Sequence, residues 1–266
     1  MFPGASASSE EAAYALIGAP LDVSTTFQPG TRFGPEQVRS VARSFEDYDQ
    51  HTDQRFTELL VSDHGDIHPG SDVSEYLEFL RGTLADYHES GTVPVLIGGE
   101  HTVTVGGVRA VEPDVYVCLD AHLDLRESYA GNSLSHATVS HHALEVADEV
   151  VLLGVRSGCK AEWERANSAD VTVVPPEEVS DWRRSFEDER VYLSLDIDVV
   201  DPGFAPGTGT PEPFGLDPTT IHNVVRELAP ACAGFDVVEV NDRDDGQAAV
   251  LAAKLLRAFV FAHAKG

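Results

Sequence analysis

Along the chain, apolar runs of strand length alternate with amphipathic or alanine-rich segments of helix length. The runs are YALIGAP from Tyr14, TELLVSD from Thr57, VPVLIG from Val93, VYVCL from Val115, EVVLLGV from Glu149, VTVVP from Val171, RVYLSL from Arg190 and AGFDVVEV from Ala233. Helix signals fall between them. Gly34-Pro35 opens one helix, with proline in the first turn where its missing N–H costs nothing. Ser71-Asp72 starts another that Gly91 stops, and a short helix follows Glu100-His101. A long loop from Ala121 to Ser135 leads to a helix near Ala137, Asp217-Pro218 caps a further one, and a last helix closes the chain. The pattern predicts an α/β series of βα units around a parallel sheet.

The polar residues that interrupt this pattern fall at one kind of place. Residues i and i+2 of an extended chain face the same side, so Asp196 and Asp198 at the end of the RVYLSL strand point at one spot. Two ionised carboxylates so close repel unless one takes a proton or a cation lies between them. The VYVCL strand ends the same way, with Asp120, His122 and Asp124 in DAHLD. His101 and Glu239 also fall just past strand ends, and in open parallel sheets ligands bind along that edge. His101, Asp120, His122, Asp124, Asp196 and Asp198 are more ligands than one divalent ion needs, but they suit two ions sharing carboxylates. Oxygen and imidazole without thiolate favour Mn²⁺, with Zn, Co, Ni and Fe left open. Two ions about 3.5–4 Å apart can share a water, lower its pKa and present hydroxide to an electrophile. The aspartate charges balance two such ions and the hydroxide leaves the site net negative, which suits a cationic substrate better than a phosphate ester.

Composition narrows the class. The 266 residues suffice for a single domain over 1–266, with no repeat and no linker-like stretch. A net charge of −27 excludes a general binder of nucleic acid or anionic membrane. The acids are dispersed (EE at 10, EDYD at 46, EDE at 187, DRDD at 242), which points to a solvated surface and a salt-loving source. Cys118, Cys159 and Cys232 form neither a disulfide framework nor a zinc-type cluster. The start lacks the pattern of a signal peptide, and the apolar stretch near the end is broken by Lys254 and Arg257 and too short to span a bilayer, so a cytoplasmic protein is expected.

The motifs GGEHT at 98–102, DAHLD at 120–124, SLDIDVVDPGFAPGTGTPEP at 194–213 and VEVN at 238–241 resemble those of the ureohydrolase family of arginases and agmatinases. PGTRFGP at 29–35, DHGDI at 63–67, SHATV at 135–139 and GVRS at 154–157 extend the likeness over nearly the whole chain, and the PGTRFGP and GTGTPEP runs are more similar to agmatinase. The resemblance implies a three-layer α/β/α sandwich with a mostly parallel eight-stranded sheet. It implies two Mn²⁺ per subunit, one held by His101, Asp120, Asp124 and Asp196, the other by His122 and Asp198, with Asp120 and Asp196 bridging. Asp198 counts among the catalytic residues too. Glu239 would pair with the substrate guanidinium, and His136 would carry a proton to the departing amine. The reaction implied is attack of metal-bridging hydroxide on the guanidinium carbon of a small cationic substrate, agmatine first, giving urea and putrescine. Arginine, guanidinobutyrate, formimidoyl-glutamate and a non-catalytic metal-binding relative are the alternatives. A homo-oligomer, trimer or hexamer, is implied as well.

Four positions depart from the family pattern: Glu100, Thr102, Phe214 and Asp242, the last two with scope to reshape the pocket. No basic group stands out to receive a substrate carboxylate, although Arg32, Arg126 and Arg156 are within possible reach. His141 and His142 are expected on an exposed helix face, and Asp63, Asp66 and Asp201 in turns or behind the ligands.

Overall fold

A computed structural model describes residues 1–266. The strands are β1 (Tyr14–Ala19), β2 (Val61–Asp66), β3 (Val93–Gly98), β4 (Val115–Leu119), β5 (Glu149–Leu153), β6 (Val171–Val174), β7 (Val191–Asp196) and β8 (Cys232–Val238). They form one sheet in the order β2-β1-β3-β8-β7-β4-β5-β6, with every pairing parallel. The helices are α1 (Gly34–Val41), α2 (Val73–Glu89), α3 (Thr104–Val111), α4 (Val139–Ala143), α5 (Lys160–Arg165), α6 (Pro176–Val179), α7 (Pro218–Leu228) and α8 (Gln247–Lys265).

The inner strands read as continuous apolar runs because both sheet faces are covered there, whereas edge strand β2 runs Val-Ser-Asp-His-Gly-Asp. Alternate residues enter separate cores: Leu16, Val95, Val117, Leu193 and Phe235 pack with α1, α7 and α8, while Ile17, Leu96, Tyr116, Tyr192 and Val238 pack with α2, α3 and α4. That is the expected three-layer sandwich. Helix starts follow the sequence signals, with Asp72 accepting from the Glu75 N–H and Asp217 from the Thr219 and Thr220 N–H groups.

Three expectations need correction. The strand expected from Thr57 begins only at Val61; Phe56–Glu58 is a 3-10 turn, and Leu60 at φ +52° breaks the extended chain. The C-terminal helix has 19 residues and is long and apolar enough to cross a membrane by length and composition, so its length excludes nothing. It packs instead through Ala252, Leu256, Phe259 and Val260 into the core, with buried Arg257 lying over the ring of Phe56. A small hairpin, Tyr48–Asp49 with Gln54–Arg55, was not anticipated.

The strand order fixes where chemistry can happen. β3, β8, β7 and β4 are consecutive neighbours, and their carboxyl ends carry His101, Glu239, the Asp196/Asp198 pair and the DAHLD cluster respectively.

Candidate metal centre and active site

His101 opens a 3-10 turn after β3, and its Nε2 lies 3.1 Å from Ser194 Oγ. Ser194 donates its hydrogen to Asp236 Oδ1 at 2.6 Å, and Tyr192 O–H donates to Asp236 Oδ2 at 2.9 Å. Ser194 is therefore the acceptor toward His101, and the ring carries its hydrogen on Nε2. Nδ1 is left with a lone pair, buried and without a hydrogen-bond partner. Facing it are Asp120 Oδ2 and Asp124 Oδ2 at 3.1 Å and Asp196 Oδ2 at 3.4 Å. A lone pair opposed by three carboxylate oxygens is repulsive without a cation or proton among them.

A second set adjoins the first. His122 Nδ1 lies 3.0 Å from Asp198 Oδ2 and 3.4 Å from Asp120 Oδ1, so Asp120 offers one oxygen to each set. Asp196 turns Oδ2 toward His101, while its Oδ1 accepts the Asp198 N–H at 2.9 Å, much as Asp120 Oδ1 accepts the His122 N–H at 2.7 Å. Asp198 is held in turn by the Ala121 N–H at 3.1 Å and the Thr210 hydroxyl at 3.1 Å. The donor set of imidazole and carboxylate fits two adjoining divalent cations.

The electrostatics agree with the geometry. Burial, then the Asp120 charge, pushes Asp124 up to about 7. Burial and the charges of Asp198 and Asp120 raise Asp196 well above the ordinary carboxylate range. Burial works against charging His101 and His122 as well, yet the groups around each ring win and raise both. Without cations, the cluster holds protons in their place. Cys118 was not expected in any cluster, but its sulfur lies 3.8 Å from His101 Nε2 and 3.9 Å from Asp120 Oδ2. It sits at the Nε2 edge of the ring, away from the Nδ1 that faces the three carboxylates, and burial pushes the thiol up to about 12.

A cavity of about 360 Å³ opens on this cluster, lined by His122, Asp124, Arg126, Tyr129, His136 and Thr210 among others. His136 Nε2 is buried without a partner, and burial lowers its pKa. The His136 main-chain N–H donates to Ser24 Oγ at 3.0 Å, and Ser24 Oγ donates to Glu100 Oε1 at 2.7 Å. Glu100 also accepts from the Val23 and Ser24 N–H groups and the Thr102 hydroxyl, each at 2.6 Å. The Glu100–Thr102 pair thus ties the 22–26 loop to the end of β3, under His136. Glu239 is buried at φ +62°, strained for a non-glycine residue, and its Oε1 accepts the His101 N–H at 2.8 Å. It stands beside the ligands but not on the cavity wall. A Cβ on Gly209 would come within 2.8 Å of Glu239 Oε2, so glycine there leaves room beside the carboxylate.

Several expectations sort themselves out. Phe214 is 86% exposed, and neither it nor exposed Asp242 lines the cavity. Of the three arginines, Arg126 lines it, with Nε on Glu162 at 3.2 Å; Arg32 pairs with Asp22 elsewhere, and Arg156 is spent on carbonyl oxygens. His142 is not exposed: its Nε2 lies 2.8 Å from Ser133 O and its Nδ1 3.2 Å from Glu145 Oε2. Asp201 shapes a turn, accepting from the Gly203, Phe214 and Gly215 N–H groups, while Asp63 and Asp66 hold Arg39. Sequence reasoning passed over Ser194 and Asp236. The signal was present, since a carboxylate inside a wholly buried parallel strand persists only with partners.

The arginase family model matches residues 12–262. The chain belongs to the arginase family. It is 37% identical to an N(1)-aminopropylagmatine ureohydrolase of Thermococcus kodakarensis, over 96% of this chain and 92% of that protein. It is 34% identical to an agmatinase of Pyrococcus horikoshii, over 93% of this chain and 90% of the other. Among solved structures, the agmatine ureohydrolase of Thermoplasma volcanium superposes with a TM-score of 0.92 at 32% identity, covering 99% of this chain and 94% of that one.

Proposed function

We propose that the protein is an agmatinase that hydrolyses agmatine to putrescine and urea. The observation that carries this reading is the pair of imidazole–carboxylate sets sharing Asp120, at the edge where a cavity opens, in a chain whose relatives act on agmatine and its aminopropyl derivative. Bound divalent ions, Mn²⁺ in this proposal, supply Lewis acidity and a nucleophilic water at neutral pH. His101, Asp120, Asp124 and Asp196 would hold one ion and His122 and Asp198 the other, with Asp120 and Asp196 shared between them. His136 lines the cavity, with its Nε2 buried and unengaged and its pKa lowered by burial, so it enters the reaction neutral. A neutral ring takes a proton as the tetrahedral centre forms and returns it to the departing amine. Glu239 stands behind the cavity lining with Oε1 on the His101 N–H, and its Oε2, beside the space left by Gly209, would accept from a guanidinium N–H. The homo-oligomer and cytoplasmic location belong to the same proposal, and sedimentation of metal-loaded protein tests the former.

A second reading is a guanidino acid such as guanidinobutyrate, because Arg126 lines the cavity. Its ion pair with buried Glu162 weakens that reading by cancelling the charge. Chelated protein given Mn²⁺ and assayed for urea with agmatine, N(1)-aminopropylagmatine, guanidinobutyrate, arginine and formimidoyl-glutamate decides between them. The agmatinase reading predicts the highest kcat/KM on agmatine, and no urea from either amine substrate would overturn it.

A further inference from the structure

We propose that Arg156 is a positioning residue for one half of the metal centre, setting the His122–Asp198 side while the His101 side is built without it. The inference rests on the two-ion reading above. A guanidinium has five N–H groups in one rigid plane. In Arg156 all of them end on main-chain carbonyls: Nε on Pro213 at 3.0 Å, Nη1 on Gly154 at 3.0 Å and Val199 at 3.2 Å, and Nη2 on Asp198 at 2.7 Å and Glu212 at 2.8 Å. None goes to a carboxylate. The acceptors lie on three segments: the turn after β5, the turn that bears Asp198, and the loop strand at 212–213. Gly215 makes room, since a Cβ there would come within 2.6 Å of Nη2.

The same residue reaches the other ligand of that side through its backbone. The Arg156 and Ser157 N–H groups both donate to Ala121 O at 2.9 Å, between Asp120 and His122. Ser157 O–H donates to Glu212 Oε1 at 3.0 Å, and that oxygen lies 3.7 Å from His122 Nε2. The main chain that carries His122 and Asp198 is thus tied to one residue and its neighbour, while the Ala121 N–H and the Thr210 hydroxyl aim the Asp198 carboxylate. The His101 side uses other supports: Ser194 at Nε2, Glu239 at the His101 N–H, and the His141 N–H on Asp124 O at 3.1 Å. Burial lowers the Arg156 pKa while Asp198, Asp120 and Glu212 resist, so the cation is also an interior counter-charge for the acidic site.

The test is Mn²⁺ binding by equilibrium dialysis with elemental analysis, on chelated wild type, Arg156→Lys and Arg156→Gln. Lysine keeps the charge but has three donors on one point and cannot span three segments. The expected result is two ions on the wild type but one tight ion on each variant. The second ion should be weakened by about 10–100-fold, the range for lost support around a metal ligand. The electron paramagnetic resonance signal of a coupled Mn²⁺ pair should fade at sub-stoichiometric metal, with the apo-protein melting near the wild type. Unchanged binding of both ions overturns the proposal, as does equal weakening of both with a lowered apo melting temperature. A wild type that holds only one ion fails the two-ion reading itself, and this inference with it.

Discussion

The clearest division of labour within the site is between side chains that can reach a cation and side chains that hold them there. His136 belongs to neither group. Its Nε2 is buried yet unpaired while its main-chain N–H is fixed by Ser24. His136→Asn should therefore cut kcat by about 10²–10⁴-fold, the usual share of a proton-transfer group, and leave metal content at two ions. Elemental analysis beside steady-state kinetics checks this, and a matching loss of metal would make His136 a ligand. The ligand residues were legible in the sequence because they follow the carboxyl ends of neighbouring strands. Strand periodicity itself does not aim them, since Asp198 lies in a 3-10 turn, DAHLD follows the end of β4, and Asp124 has φ +50°. A carboxylate inside a buried strand marks Asp236 as needing a partner, but which partner, like the roles of Glu100 and Glu212, arises from pairing between elements remote in sequence, such as Ser194 with Asp236 across neighbouring strands. His142 was misread for the same reason: helical spacing does not show that Ser133 folds back over its ring.

Among the elements, both ends of β2 show what periodicity resolves and what it misses. An apolar Leu59-Leu60 extended the expected strand too early, since alternation carries no information about a residue at positive φ. The far end of β2 is where the chain ties α1 to the sheet. Arg39 donates from Nε and Nη2 to Asp63 at 2.9 and 2.8 Å, and from Nη1 to Asp66. Asp63 also accepts the Phe2 N–H. Burial alone would raise the Asp63 pKa, but Arg39 and the backbone donors hold it below 3.8. A depressed folded-state pKa means that this stabilisation is complete above the unfolded value and fades as pH falls through the folded one. Asp63→Asn should cost about 2 kcal/mol at pH 7 by removing the two-point partner of a buried guanidinium that then keeps only Asp66. The gap from wild type should narrow below about pH 4. Urea melts at pH 7, 5 and 3 measure it, and a pH-independent gap would refute the ion-pair account.

At the scale of the whole molecule, the centre and the surface have opposite electrostatic problems. The interior acids need cations, and burial has pushed Asp124 up to about 7, so metal binding near neutrality must displace protons. Calorimetric titration of chelated protein with Mn²⁺ in two buffers of different ionisation enthalpy should show proton release, with affinity falling as pH drops. Saturation at about 100 times Kd should add about 2.7 kcal/mol of stability per site. Most surface acids have too few cations to pair with: Asp and Glu outnumber Lys and Arg 45 to 18, and Glu10, Glu46, Glu75, Glu187 and Asp245 are all exposed. Self-repulsion of this kind works against the compact state and is relieved by screening. The screening length is about 10 Å at 0.1 M salt and about 3 Å at 1 M. The melting temperature should therefore rise from 0.1 to 1 M NaCl and then level off, with KCl matching NaCl. A continued rise confined to sulfate would mean solute exclusion from apolar surface instead. A fall in NaCl would show that attractive pairs such as Arg184 with Glu149 and Glu189 outweigh the repulsion, contrary to the dispersed-acid reading.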